Sequence, residues 1–140
     1  YYNFGQNKCI RLRNKIRQRK MAKIARFLAN SNVVGYNQYN RTSLHAVCAS
    51  YGWDWKKIKK AIEHGTFPKC NTDCSAFFTV CVNLAYGKEK LPSDCTTHNL
   101  VYRCTVQHKA NFKLTKHFPP KKWCKGDAPI KEGKHIIINV

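Results

Sequence analysis

Acidic residues are scarce in this chain of 140 residues, which has 26 lysines and arginines but only seven aspartates and glutamates. Such few and scattered carboxylates form no oxygen-rich loop of the kind that holds calcium. No run of about 18 apolar residues is present, which excludes a membrane-spanning helix. Paired Cys-x-x-Cys spacing is also missing, although structural zinc sites favour it. We therefore predict neither a metal site nor a cofactor.

The apolar content is sufficient for one folded domain. Hydrophobic residues make up 43% of the chain and aromatic residues 12%, which excludes a wholly disordered protein. The length fits one compact domain better than two. The formal net charge of +19 indicates a polyanionic partner, since strong net charge bears on association rather than on fold. Nucleic acid, an anionic membrane face and a wall polymer rich in phosphate and carboxylate all satisfy this condition.

The positive charge is concentrated in the first half of the chain. Residues 1–70 hold 15 lysines and arginines against two acids, and the remaining residues hold 11 against five. In the densest run, from Lys8 to Arg26, apolar residues recur at spacings of three, four and seven. This pattern predicts an amphipathic helix over about 8–29, whose basic face is either simply solvated or bound to an anionic polymer or lipid surface. A second lysine cluster falls on a shorter predicted helix at about 54–64.

Other segments show weaker patterns, which alternate between short elements and loops. We predict a helix at about 41–50, loops at 33–40 and 66–72, and strand-like segments at 100–106 and 111–114. A turn follows at 123–127, and residues 135–140 form a clear β-strand. We divide the chain into a basic helical N-terminal extension, 1–29, and a main part, 30–140, within a single compact domain overall.

The chain contains eight cysteines, an even number that is compatible with four disulfides in a secreted protein. Cys48, Cys81 and Cys104, however, lie in apolar or strand-like surroundings, where a free cysteine behaves as a small hydrophobic residue. We therefore predict that most of the cysteines are free thiols. A secreted, disulfide-stapled cationic toxin is the alternative interpretation.

A nearly all-apolar run between Asp73 and Gly87 predicts a buried helix. Asp73 is suited to cap its N-terminus and Gly87 to end it. Cys74 would then be the first residue of this helix, where unsatisfied N–H groups and the helix dipole favour a thiolate. Cys74 is therefore a candidate nucleophile, although a cysteine in an apolar helix is more often part of the core.

A nucleophilic thiol needs a base, and histidine is the usual one. His135 begins the last predicted strand, although a histidine at such a position is usually a surface residue. Side chains alternate along a strand, so Asn139 shares a face with His135. Asn139 is thus a candidate for orienting the imidazole ring.

These motifs resemble a known family of enzymes. Asp73-Cys74-Ser75 before an apolar helix resembles the nucleophile motif of the NlpC-type cysteine peptidases, papain-like enzymes that cut bacterial peptidoglycan and are close to the CHAP amidases. Lys125-Gly126-Asp127 and the strand beginning at His135 resemble the family's Gly-Asp turn and catalytic histidine strand. The segment from Val34 to Arg41 resembles the Gly-Tyr-x-Gln-x-x-Arg segment of phage-type members. The resemblance covers roughly residues 20–140.

The resemblance implies an α+β, papain-like fold in which N-terminal helices and the nucleophile helix pack on a small antiparallel sheet. It also implies roles for individual residues: Cys74 as nucleophile, His135 as base, Asn139 as the third catalytic residue, and Tyr36, Gln38, Asp73 and Ser75 around the substrate and oxyanion. The family's third polar residue usually lies on the strand after the histidine strand, and this sequence ends five residues after His135. Either Asn139 takes that role, or the third residue lies outside this chain, or a dyad suffices.

The function implied is that of a phage-type peptidoglycan hydrolase that cleaves a stem-peptide bond or the muramoyl–L-alanine amide. Its partners would be peptidoglycan and anionic wall polymers. It would act outside the cell at the bacterial wall or from a phage virion, alone or within a larger lysin or virion assembly. The alternative is a basic nucleic-acid-binding protein without catalytic activity, which predicts steeply salt-dependent binding to DNA or RNA.

Overall fold

A computed structural model describes residues 8–116 and 123–140 and has the predicted α+β architecture. Its strands are β1 (Lys8–Leu12), β2 (Val34–Tyr36), β3 (Cys70–Thr72), β4 (Phe112–Lys116), β5 (Ala128–Lys131) and β6 (His135–Ile136). Its α-helices are α1 (Lys15–Asn30), α2 (Ser43–Ser50), α3 (Trp55–Glu63), α4 (Cys74–Tyr86) and α5 (Leu100–Tyr102). A 3-10 turn spans Gln38–Asn40, and a π-helical turn spans Arg103–Gln107.

Two sheets organise the molecule. The larger is antiparallel, with strand order β4-β1-β5-β6, so β1 lies between two neighbours. Ile10 at the middle of β1 faces Leu114 in β4 and Ala128 in β5. The smaller sheet pairs β2 with β3 in parallel, and Tyr36 lies opposite Thr72. The small sheet thus brings Tyr36 to the residues that immediately precede α4.

The predicted helix over 8–29 is wrong in its first part, because residues 8–12 form the strand β1. Ile10 and Leu12 are both buried at the two-residue spacing of a strand. Asn14 then starts α1, since its side chain accepts a hydrogen bond of 3.0 Å from the Arg17 N–H. The apolar stripe of α1 enters the core and packs against α4.

Helix α4 agrees closely with the prediction. The Asp73 carboxylate caps its first turn by accepting a hydrogen bond of 2.8 Å from the Ala76 N–H. Gly87 ends it in the left-handed region, with φ of 70°, which glycine adopts without a Cβ clash. Phe78 and Leu84 are fully buried, and α4 packs against α1, α2 and β6. The beginning of α4 is therefore held rigidly from several sides.

Three of the weaker predictions need correction. Residues 100–106, predicted as strand-like, form α5 and the π-helical turn, in which Leu100 and Cys104 are buried four residues apart. The predicted loops at 33–40 and 66–72 contain β2 and β3, whose pairing joins segments far apart in sequence. Such pairing leaves no local pattern to detect.

The predicted strand at 135–140 is shorter than expected, because β6 covers only His135–Ile136. The chain nevertheless continues beside β5. The Ile137 N–H donates to the Pro129 carbonyl at 3.2 Å, and the Asn139 N–H donates to the Asp127 carbonyl at 2.8 Å. The last residues are therefore fixed by main-chain hydrogen bonds although they are irregular.

The segment predicted as an N-terminal extension contributes directly to the common core. β1 is an inner strand of the large sheet, and the buried face of α1 joins the main hydrophobic cluster. The division of the chain at residue 29 stays a prediction. All eight cysteines are free thiols in the structure, as predicted for most of them. Among the described residues, no helix has the length and apolar character needed to span a membrane.

Candidate active site

Cys74 lies in a cavity of about 420 Å³ between α4, the small sheet and the segment around β6. The described residues that line it are Ala29, Val34, Gly35, Tyr36, Thr72, Asp73, Cys74, Phe77, Ile136, Ile137 and Ile138. Most of this lining is apolar, with Thr72, Asp73 and Cys74 as its more polar residues. A largely apolar cavity with a few polar groups is typical of a binding site.

The first turn of α4 leaves donors available beside the thiol. Asp73 occupies two of the helix's early N–H groups, since its side chain binds the Ala76 N–H and its carbonyl accepts from Phe77. The N–H groups of Cys74 and Ser75 have no acceptor within the helix, because the first four N–H groups of a helix never do. They are suited to stabilise negative charge, either on the thiolate or on an oxyanion beside it.

Arg41 holds the start of α4 in place, a role that the sequence analysis did not assign. Its guanidinium donates to Asp73 Oδ2 at 2.6 Å and to Ser75 Oγ at 3.0 Å. It also donates to the Cys95 carbonyl at 2.6 Å. The position of Arg41 at the end of the Gly-Tyr-x-Gln-x-x-Arg segment was the one available signal. In the structure, Arg41 joins the loop around Cys95 to the helix that carries Cys74.

This network sets the ionisation of Asp73. Burial alone would raise the pKa of this carboxyl, but hydrogen bonds from Arg41, the Ala76 N–H and Ser75 outweigh that effect and lower its pKa below 3.8. The Asp73 carboxyl group is therefore ionised at neutral pH. Ser75 is buried and donates its hydroxyl to Asp73 Oδ1 at 3.1 Å. Both flanking side chains are thus hydrogen-bonded at the helix start, and of the two Asp73 also lines the cavity.

The other thiols contrast with Cys74, which is partly exposed in the cavity. Burial raises the pKa of Cys9 and Cys48 to about 12 and that of Cys70 to about 11. Burial also raises the pKa values of three more thiols, those of Cys81, Cys95 and Cys104. Such thiols are inert at neutral pH, because the thiolate is the reactive form. Cys124 is exposed but does not line the Cys74 cavity in the described part of the chain.

The two residues predicted to shape the cleft have different positions. Tyr36 lines the cavity and is 61% exposed, so its ring is accessible to a ligand beside Cys74. Gln38 lies in the 3-10 turn, is exposed, and is not among the described residues that line the cavity. The structure therefore brings Tyr36 to Cys74 but leaves Gln38 at the surface nearby.

His135 stands at the edge of this arrangement. It begins β6, pairs with Lys131 of β5 and is partly buried. The next three residues line the Cys74 cavity, whereas His135 is not among the described lining residues. Burial lowers the pKa of His135 below 6.5, so the imidazole is neutral at pH 7. A neutral imidazole is the form that accepts a proton.

Asn139 contacts the Gly-Asp turn. Its side-chain amide donates to the Cys124 carbonyl at 3.0 Å, and its own carbonyl accepts from the Gly126 N–H at 2.6 Å. Asp127 in this turn is completely buried and accepts two hydrogen bonds of 2.7 Å from Arg11. The turn thereby ties the residues that follow His135 to β1. This contact explains why a Gly-Asp turn lies shortly before the histidine strand.

The sequence of this chain matches a known protein family. The family model of the endolysin-like domain matches residues 1–140. The chain belongs to the endolysin-like domain family. No curated protein and no solved structure matches it. Membership indicates a phage-type lytic function directed at the peptidoglycan of the cell wall.

In this endolysin-like domain, the cavity offers the elements of acyl-transfer chemistry. It combines a partly exposed thiol at a capped helix start, backbone donors beside that thiol, and an adjoining strand that begins with a histidine. In the described ranges, no three His, Cys, Asp or Glu side chains come together as a metal site.

Proposed function

We propose that this endolysin-like domain is a cysteine hydrolase that cleaves an amide bond of peptidoglycan, with Cys74 as nucleophile and His135 as base. The bond is either a stem-peptide bond or the muramoyl–L-alanine amide. The proposed fold is papain-like within the observed α+β class. The observation that carries the proposal is the position of Cys74 at the start of α4, in a cavity also lined by the three residues after His135.

In the first step, His135 accepts the thiol proton and the Cys74 thiolate attacks the amide carbonyl carbon. The carbonyl oxygen becomes an oxyanion, which the N–H groups of Cys74 and Ser75 are suited to stabilise. The carbon–nitrogen bond then breaks, and the protonated imidazole gives its proton to the leaving amine. A thioester remains between the substrate's acyl group and Cys74.

In the second step, His135 removes a proton from water, and the resulting hydroxide attacks the thioester carbon. The carbon–sulfur bond breaks, and the acyl group leaves as a carboxylic acid. The proton on His135 returns to the sulfur or to solvent, which regenerates the free enzyme. Asn139 contacts the Cys124 carbonyl through its side-chain amide, so we propose that it orients His135 through the backbone it stabilises.

Above all, this mechanism requires that the His135 imidazole approach the Cys74 sulfur. Tyr36 lines the cavity and is exposed, so its hydroxyl would meet the peptide amine or the oxyanion of a bound substrate. Gln38 would contact a longer substrate outside the cavity. Both are proposed as substrate-binding rather than proton-transferring residues.

Clearing of purified cell walls tests the proposal. Cys74→Ala and His135→Ala should each abolish clearing, because one removes the nucleophile and the other the base. Cys124→Ala is the matched control, since it removes an exposed thiol outside the cavity and should clear walls at the wild-type rate. Wild-type clearing by Cys74→Ala would refute the proposal.

A further inference from the structure

A second and larger groove lies beside α1, where this helix adjoins the end of β1, residues 124–125 and Val140. Its volume is about 520 Å³, and six of its lining side chains are cationic. They are Arg11, Lys15, Arg19, Lys23, Arg26 and Lys125. The four on α1 follow one another at intervals of four, four and three residues, so they form one stripe along the helix.

Among the described residues, no carboxylate forms an ion pair with the four cations of this stripe. Arg11 is held by the buried Asp127. The other five cations are exposed and form no ion pair with any carboxylate of the described residues. Residues 1–7 and 117–122, outside the described ranges, contain no aspartate or glutamate. Like charges three or four residues apart disfavour a helix, so the stripe is suited to an anionic ligand.

The length of the stripe indicates the form of that ligand. Lys15 and Arg26 are separated by 11 residues, which corresponds to about 16 Å along the axis at the usual helical rise. A single phosphate would engage only one or two of these cations. An extended chain with repeated negative charges would engage the whole row.

Helix α1 also connects the groove with the Cys74 cavity. Arg26 lines the groove, and Ala29, one helical turn further on, lines the cavity. The chain end repeats this relation, because Ile138 lines the cavity and Val140 lines the groove. A polymer lying in the groove would therefore be held beside the opening that contains the thiol.

We propose that the basic groove along α1 binds a linear phosphodiester polymer of the bacterial wall and thereby holds the attached peptidoglycan at Cys74. The inference rests on the proposed function, since neighbouring residues line the groove and the cavity, which favours a polyanion joined to the substrate. Nucleic acid offers the same phosphodiester charge without that connection. The two ligands can be compared directly in one experiment.

The experiment uses the inactive Cys74→Ala protein, so that binding is measured without cleavage. The probes are fluorescent poly(glycerol phosphate) and single-stranded DNA with the same number of phosphates, followed by anisotropy. If five cations contact a flexible polyanion, raising salt from about 50 to about 200 mM should weaken binding by about 100-fold. The polymer should bind at least as tightly as the DNA.

A charge-matched pair of variants locates the site. The groove variant carries Arg19→Gln, Lys23→Gln and Lys125→Gln, whereas the control carries Lys56→Gln, Lys57→Gln and Lys60→Gln on the exposed side of α3. Both lose three charges. The groove variant should bind the polymer at least about 10-fold more weakly than the control at low salt, and its salt dependence should fall below about 10-fold, because fewer phosphates are neutralised. Circular dichroism verifies that both variants fold.

Two results would overturn the inference. Equal losses in the two variants would mean that net charge, and no particular groove, attracts the polymer. Groove-dependent binding that is tighter for DNA than for the polymer would assign the groove to nucleic acid. Failure of the proposed function is separate, since it would appear as a wild-type protein that binds the polymer but cleaves no wall.

Discussion

The environment of each thiol separates Cys74 from the core cysteines at the level of single residues. Six cysteines have pKa values raised by burial, whereas Cys74 lies partly exposed in a cavity and Cys124 lies on the surface. Thiol reactivity depends on both access and thiolate character. The chain therefore combines several packing cysteines with two chemically accessible ones.

Brief alkylation of the folded protein should label Cys74 and Cys124 and leave the other cysteines unmodified. Peptide mass spectrometry after iodoacetamide treatment measures this directly. The Cys74→Ala variant should then carry one label, on Cys124. Rapid labelling of Cys48 or Cys81 in the native protein would contradict the described core, in which both are completely buried.

Arg41 is the positioning residue on which the start of α4 depends most. Arg41→Ala should lower the free energy of unfolding by about 2 kcal/mol, because it leaves the partly buried Asp73 carboxylate without its charged partner. It should also slow the alkylation of Cys74, whereas Arg41→Lys should restore part of that rate. Arg103→Ala is the control, since its partner Asp94 is 70% exposed and such a pair contributes below about 1 kcal/mol. Equal effects of the two alanine substitutions, measured by urea denaturation, would contradict this role.

At the level of elements, the first turn of α4 should make stability depend on acid. The pKa of Asp73 is lower in the folded protein than the usual 3.8, so its contribution is fully present above pH 3.8 and is lost as pH falls through the folded-state value. Asp73→Asn should therefore be less stable at neutral pH and should lose less stability on acidification. Denaturation midpoints across this pH range measure the difference.

Asp54→Asn is the matched control for that measurement. Asp54 also caps a helix, since it accepts a hydrogen bond of 3.2 Å from the Lys57 N–H, but it forms no ion pair among the described residues. Asp54→Asn should reduce the pH dependence of stability less than Asp73→Asn does. The reverse order would show that Arg41 does not stabilise the charged form of Asp73.

The Gly-Asp turn is the second element that holds the site. Gly126 has φ of 91°, and a Cβ built on it would lie 2.5 Å from the Gln18 carbonyl oxygen. Gly126→Ala should therefore cost about 3 kcal/mol from backbone strain and overlap together. Gly52→Ala shares the positive φ but has no atom within 4 Å, so it should cost about 1 kcal/mol. Thermal unfolding of both variants separates the two causes, and equal losses would contradict the overlap.

Sequence patterns predicted some elements well and others not at all. The caps of α4, at Asp73 and Gly87, were predictable because each residue type has a local conformational reason to be there. The strand β1 was mistaken for the start of a helix, since basic residues continue without a break from β1 into α1. Pairing of β2 with β3 depends on distant segments, which local periodicity does not reveal.

The candidate site shows the same division. Cys74 could be proposed as a candidate because a helix start is visible in sequence, and His135 because it begins a hydrophobic strand. The hydrogen bonds from Arg41 to Asp73 and Ser75 could not be predicted, because they join α4 to a residue 32 positions earlier through side-chain geometry. Motif spacing therefore predicted the candidate residues, and tertiary contacts revealed the groups that hold the start of α4 in place.

At the level of the whole molecule, the net charge of +19 and the Cys74 cavity have separate tasks in our proposal. Long-range attraction brings the protein to an anionic wall, whereas cleavage depends on the groups around Cys74. Raised salt should therefore weaken binding to purified walls far more than it slows cleavage of a small soluble stem peptide. Pelleting and peptide-release assays over the same salt series provide the comparison. Equal salt sensitivity of wall binding and of peptide cleavage would mean that the net charge has no separate role in bringing the protein to the wall.

Mass spectrometry of muropeptides after digestion in heavy-oxygen water tests the central claim most directly. The account predicts fragments with a new free amine and a new carboxyl group that carries heavy oxygen, formed by the wild-type protein and absent with Cys74→Ala. The position of the new ends would also identify the bond as a stem-peptide bond or the muramoyl–L-alanine amide. Cleavage confined to the sugar chain, or the same amide products from Cys74→Ala, would contradict the account.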